Sequence, residues 1–115
     1  MNVFVFDDDA DLVSIVTDYL FREGYGVCCA YDLATAYRIL AYNNINVVVS
    51  DFLNDGEPSE MSLRRCSGKY KPVILISGGY DESQYHLLEQ GVVKEFLQKP
   101  FKLSQLEETI KKYTK

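Results

Sequence analysis

The sequence has no run approaching the ~20 consecutive apolar residues that a membrane-spanning helix requires. Its apolar, acidic opening also lacks the basic residues of a secretory signal. No membrane contact is therefore expected, and the chain is expected in the cytoplasm. Positive charge is short as well: 12 Lys and Arg stand against 17 Asp and Glu, a net charge of −5. Binding to a phosphate backbone draws most of its affinity from basic side chains, so direct nucleic-acid binding is not expected. The three cysteines, Cys28, Cys29 and Cys66, are an odd number and have neither the C-x-x-C spacing of a redox motif nor that of a zinc site. Free thiols acting as small apolar fillers are expected. The one histidine, His86, is expected on a helix surface rather than as a ligand or phosphocarrier. A glycine-rich turn is missing where a nucleotide or flavin phosphate would need one, because the apolar run from Val3 to Phe6 leads into three aspartates.

What is present is an ordinary globular balance, 47% hydrophobic and 25% charged, in a chain of 115 residues. That length suits one domain over residues 1–115, with no repeat, linker or low-complexity segment. Short runs rich in Val, Ile and Phe alternate with stretches of helical period, which predicts βαβ units and a parallel sheet. Strands are expected at 2–6, 25–30, 46–50, 73–77 and 95–98. A first helix over 10–23 would place Leu12, Ile15, Val16, Tyr19 and Leu20 on one face, with Gly24 as its stop. Asp32 is expected to cap a second helix running to Tyr42, Pro58 to open a short third one, and Asp81 to cap a fourth. The last helix is expected over 103–113.

In open parallel sheets, ligands bind at the carboxyl ends of the strands. Those ends carry Asp7, Asp8 and Asp9 after the first strand, Asp51 after the third, Ser77 after the fourth and Lys99 after the fifth. Gathered carboxylates repel one another unless a cation offsets them. Magnesium suits such a pocket, since it takes one or two carboxylates, keeps several waters and leaves room for a phosphoryl group. Asp51 could then attack phosphorus as a carboxylate nucleophile. Lys99 would offset charge on the transferring oxygens, and the Ser77 hydroxyl would donate to one of them. Taken singly, each residue has a plainer explanation: Asp9 as a helix cap, Asp51 and Ser77 as turn residues, Lys99 as a solvated charge. Their joint placement at four strand ends favours the phosphoryl site.

With those residues in place, the sequence resembles the receiver domain of two-component response regulators over its whole length. "VFVFDDD" resembles the family's strand with paired acids, "VVVSDF" its phosphoacceptor strand, "VILISG" its hydroxyl strand and "FLQKPF" its lysine-proline segment. The resemblance implies a doubly wound, flavodoxin-like (βα)5 three-layer sandwich with strand order 2-1-3-4-5. It makes Asp51 the phosphoacceptor and implies magnesium held by Asp7, Asp8, Asp51 and the Leu53 backbone carbonyl. Ser77 and Phe96 become the switch pair, Lys99 the phosphoryl clamp and Pro100 a cis proline.

The implied donor is a sensor histidine kinase or a histidine phosphotransfer protein. The implied output is a downstream protein bound on the face formed by helix 4, strand 5 and helix 5. Such a chain is not an enzyme beyond its own phosphorylation and dephosphorylation. The sequence departs from the family pattern after the phosphoacceptor, where Asp55 and Ser59 replace a proline and a glycine, and at Gly91, one place early. Leu53 and Gly79 lack groups to orient an attacking water, so slow loss of the phosphoryl group is expected. The other readings are a receiver segment of a hybrid sensor kinase and an interaction module that works without phosphorylation.

Overall fold

The computed structural model describes residues 1–7, 9–51, 72–77, 88–89, 91 and 93–113, with the backbone alone for Leu33, Asp51 and Ser77. Asp8, Leu53, Cys66, Gly79 and His86, the expected third helix and nearly all of the fourth lie outside the described residues; Leu88 and Glu89 are helical. The elements in chain order are β1 (Asn2–Phe6), α1 (Ala10–Arg22), β2 (Gly26–Ala30), α2 (Leu33–Tyr42), β3 (Val47–Asp51), β4 (Val73–Ser77), β5 (Glu95–Gln98) and a C-terminal helix (Leu103–Lys112). All four strand pairings are parallel, in the order β2-β1-β3-β4-β5. This is the doubly wound α/β architecture. No helix among the described residues is long and apolar enough to cross a membrane.

Alternation along the strands builds a core on each face of the sheet, because successive side chains of a strand point to opposite sides. Phe4, Phe6, Val48, Val73 and Leu75 gather on the face covered by Ala36 of α2. Val3, Val5, Val47, Val49, Ile74 and Ile76 gather on the other face, against Val13, Val16 and Leu20 of α1 and Leu106 and Ile110 of the C-terminal helix. Phe4 and Phe6 lie two apart on β1 and stack with ring centroids 6.3 Å apart.

The expected apolar face of α1 needs correction. Its buried residues are Val13, Val16 and Leu20, whereas Ile15 is 56% exposed. At 100° per residue, Ile15 stands about 200° from Val13 and so turns away from the sheet. Four boundaries also shift by one residue: β2 starts at Gly26, β3 both starts and ends one place later at Val47–Asp51, and α1 ends at Arg22. The last helix likewise ends at Lys112 rather than at Tyr113.

Side chains close the helix ends. Asp9 caps α1, its Oδ1 accepting from the N–H groups of Asp11 at 3.1 Å and Leu12 at 3.2 Å. Asp32 caps α2, accepting from the Thr35 N–H at 2.8 Å and the Thr35 hydroxyl at 3.1 Å. The Thr35 N–H, followed by its hydroxyl, holds the Asp32 carboxyl below the usual carboxylate range. Gly24, at φ +94°, supplies the left-handed residue that turns the chain from α1 toward β2.

Candidate functional site

The sheet register sets the site. Phe6 on β1 pairs with Ser50 on β3, so the next residues, Asp7 and Asp51, follow paired positions on neighbouring strands. Such strands lie about 4.8 Å apart. Asp51 is the last residue of β3 and pairs with Ile76, one residue before the end of β4, while Ser77 pairs with Gln98 on β5. Lys99 follows Gln98 directly. The structure thus brings the backbones of Asp7, Asp51 and Ser77 and the Lys99 segment to one edge of the sheet. Asp8 and Leu53 lie outside the described residues.

Asp7 is fully buried. Its Oδ2 accepts a hydrogen bond from Lys99 Nζ at 3.1 Å, and its Oδ1 accepts one from the Asp9 N–H at 2.9 Å. The Lys99 side chain is 28% exposed, so the ion pair spans the wall between core and solvent. A buried carboxylate is costly unless paired and hydrogen-bonded, and here it has both kinds of partner. The Lys99–Pro100 peptide bond is cis, the geometry expected there from the sequence. Phe96 is half-buried on β5 and packs against the α2-side core.

Of the expected magnesium ligands only the Asp7 side chain is described, and no group of three or more His, Cys, Asp or Glu that could hold a metal ion stands among the described residues. A carboxylate offers about four lone-pair sites. The Lys99 and Asp9 contacts leave Asp7 capacity for a metal-bound water, and oxygen ligands are what magnesium prefers.

A second polar cluster was not legible in the sequence. Glu107 on the C-terminal helix accepts from the Tyr19 hydroxyl at 3.0 Å and the Tyr25 hydroxyl at 3.3 Å, while Lys111 stands 3.6 Å away. The Glu107 hydrogen bond raises the Tyr19 phenol above its ordinary pKa; for Tyr25 burial comes first and the Glu107 charge second. At the far end of the same helix, the Tyr113 hydroxyl donates to Glu95 at 3.1 Å and Lys112 pairs with Glu95 at 3.1 Å. The C-terminal helix is thereby tied to both α1 and β5. These partners lie on separate elements, and no local spacing in the sequence signals them.

Comparison with known proteins identifies the family. The model of the response regulator receiver domain matches residues 3–111. The chain belongs to that family. This receiver domain is similar to the transcriptional regulatory protein CrdR of Helicobacter pylori, 28% identical over 115 residues, covering 97% of this chain and 54% of the relative. It is also similar to the response regulator GtcR of Aneurinibacillus migulanus, 25% identical over 102 residues, covering 87% of this chain and 42% of that protein. The receiver domain thus spans about half the length of these relatives. In fold it matches a CheY-like response regulator receiver domain protein from Methanospirillum hungatei, with a TM-score of 0.88 at 18% identity, covering 96% of this chain and 90% of that one. Receiver domains of this family are generally signalling modules rather than enzymes, typically bind magnesium, and interact with kinases and effectors.

Proposed function

We propose that this receiver domain, a single unit over residues 1–115, accepts a phosphoryl group on Asp51 from a sensor histidine kinase or a histidine phosphotransfer protein. The observation that carries the reading is the pairing of buried Asp7 with Lys99 at 3.1 Å, on strand ends that flank Asp51. A carboxylate nucleophile beside a fixed cation and other carboxylates meets the demands of phosphoryl transfer, which depends mostly on positioning and on offsetting charge.

Each residue has a task in this scheme. An Asp51 oxygen forms the new bond to phosphorus as the donor nitrogen leaves. Lys99 leaves Asp7 in part and turns its ammonium toward the incoming phosphoryl oxygens. Asp7, Asp8, Asp51 and the Leu53 carbonyl would hold Mg2+, whose chemistry is to neutralise charge on the transferring oxygens. Ser77 donates its hydroxyl to the loaded group, and Phe96 follows by packing inward. The altered surface formed by helix 4, β5 and the C-terminal helix then meets a downstream protein, in the manner of bistable switches set by a local charge change. The chain works in the cytoplasm and contacts neither nucleic acid nor membrane directly.

The test is intact-mass measurement after incubation with a small acyl phosphate. Wild type with magnesium gains one phosphoryl group; Asp51→Asn, or wild type with a chelator, gains none. Equal labelling of Asp51→Asn and wild type would defeat the proposal.

A further inference from the structure

The two partners of the Asp7–Lys99 pair stand at the starts of two helices. Asp7 is fixed to α1, because its Oδ1 accepts from the N–H of Asp9, the cap of that helix, at 2.9 Å. Lys99 is fixed to the C-terminal helix by the short segment that joins them. Phe101 and Leu103 pack there against the α1-side core, and the Lys102 N–H donates to Gln105 Oε1 at 2.9 Å. The 3.1 Å between Lys99 Nζ and Asp7 Oδ2 therefore depends on where the C-terminal helix lies along α1.

Apolar contact alone sets that position loosely. Leu106 and Ile110 share one core with Val13, Val16 and Leu20, which decides the face each helix turns inward. Burial of apolar surface is non-directional, however, and resists a small slide along the axis only weakly. Hydrogen bonds are directional. Tyr19 and Tyr25 donate to different oxygens of Glu107, to Oε1 at 3.0 Å and to Oε2 at 3.3 Å. The Tyr25 N–H also donates to the Leu20 carbonyl at 3.0 Å, so both phenols are carried by α1 and the turn that closes it. Two donors on one unit thus hold both oxygens of a single carboxylate on the other helix.

We propose that Glu107, held by Tyr19 and Tyr25, is a positioning residue for Lys99: through the C-terminal helix it sets the place from which Lys99 faces Asp7 and the phosphoryl site. The inference rests on the reading of Lys99 as the group that meets the phosphoryl oxygens. The Glu107 side chain is 14% exposed, with the Lys111 ammonium at 3.6 Å. A charge so largely withdrawn from water adds little net stability over an apolar side chain of similar size, so its contribution here is geometric. Phosphoryl transfer is sensitive to geometry, since a misplacement of about 1 Å costs on the order of a hundredfold in rate.

The same helix supplies a control. At its far end Lys112, 59% exposed, pairs with Glu95 of β5 and makes no printed contact with α1 or with the Lys99 segment.

The experiment compares the full chain as wild type, Glu107→Ala, Glu107→Gln, Tyr19→Phe and Lys112→Ala. Amide NMR spectra are recorded without metal, and the initial rate of mass gain is followed with magnesium and a small acyl phosphate. Without metal, Glu107→Ala should shift the Asp9 and Lys99 amide signals. Glu107→Gln, which keeps one acceptor oxygen, should shift them less, and Lys112→Ala should leave them in place. Loading should slow by about tenfold in Glu107→Ala and about threefold in Glu107→Gln, and keep the wild-type rate in Lys112→Ala. A merely structural Glu107 would lower the urea midpoint of Glu107→Ala while leaving both amide signals and the rate unchanged, and that result overturns the proposal. Equal slowing by Lys112→Ala overturns it as well, because any loosening of the helix would then suffice. If Glu107→Ala does not fold, Glu107→Gln and Tyr19→Phe decide by the same criteria. If wild type gains no phosphoryl group, the phosphoacceptor reading fails, and the amide signals alone decide whether Glu107 places Lys99.

Discussion

The two ends of this sheet are closed in different ways, although β1 connects them in five residues. At the amino ends, neutral amides satisfy one another. The Asn2 N–H donates to Asn46 Oδ1 at 2.7 Å, Asn2 Nδ2 donates to the Asn44 carbonyl at 2.8 Å, and the Asn46 N–H returns a bond to the Asn2 carbonyl at 2.9 Å. At the carboxyl ends, full charges do the same work, with the buried Asp7 carboxylate held by Lys99. These amide bonds stand at an exposed rim, and neutral groups respond little to a nearby charge. A buried ion pair stands on a near balance between desolvation and attraction, so an incoming anion or cation can tip it. The end built for stability and the end able to respond thus differ in the charge of the groups that close them.

The largest test of this contrast is Lys99→Ala. Removing one partner of a buried pair strands the other charge, which costs about 3 kcal/mol of stability, at the lower end of the known range because Lys99 is partly solvated. Urea denaturation without divalent metal measures it, and an unchanged midpoint would show that the charged end is no more delicate than the neutral one.

Gly26→Ala comes next, at the amino end. A Cβ there would collide with Asn2 Oδ1, and overpacking of this kind costs about 2 kcal/mol. Because the obstacle is one short side chain, Asn2→Ala should recover most of the loss in the double variant. Strictly additive losses would place the strain in the backbone instead.

The smallest effect is expected from the caps. Asp9 and Asp32 also stand at carboxyl ends of strands, yet their carboxylates are committed to helix N–H groups. Asp32→Ala should lower stability at neutral pH by less than either change above. The folded-state pKa of Asp32 is lowered, so its contribution is present above the unfolded value and fades as pH falls through the folded one. The variant should therefore converge with wild type in acid. A gap that stays constant down to the acid transition would mean that the carboxylate charge plays no part in the cap.

Much of the fold was legible because it rests on local pattern. The strands at Asn2–Phe6 and Val73–Ser77 read directly from their β-branched and aromatic runs, and the Asp32 cap from its position before a helical period. The β3 boundary slipped by one residue because a strand's end is set by its neighbours: Asp51 joins the ladder through pairing with Ile76. Ile15 misled for a related reason. Its chemistry suits a core, but Val13 occupies the angular position facing the sheet, and only packing against β1 and β2 decides which stripe of α1 turns inward.

By itself the sequence determined the α/β alternation, the carboxylates and lysine assigned to strand ends, and the helix caps, because each depends on residues close along the chain or on a rule of parallel sheets. Only the tertiary structure decided that Lys99 reaches Asp7 across 92 positions of sequence, that Glu107 joins Tyr19 and Tyr25, and that β2 stands at the end of the strand order. Those are matters of distance between separate elements. They arise when burial on both faces of the sheet fixes the order of its strands, and no periodicity within one element carries that information.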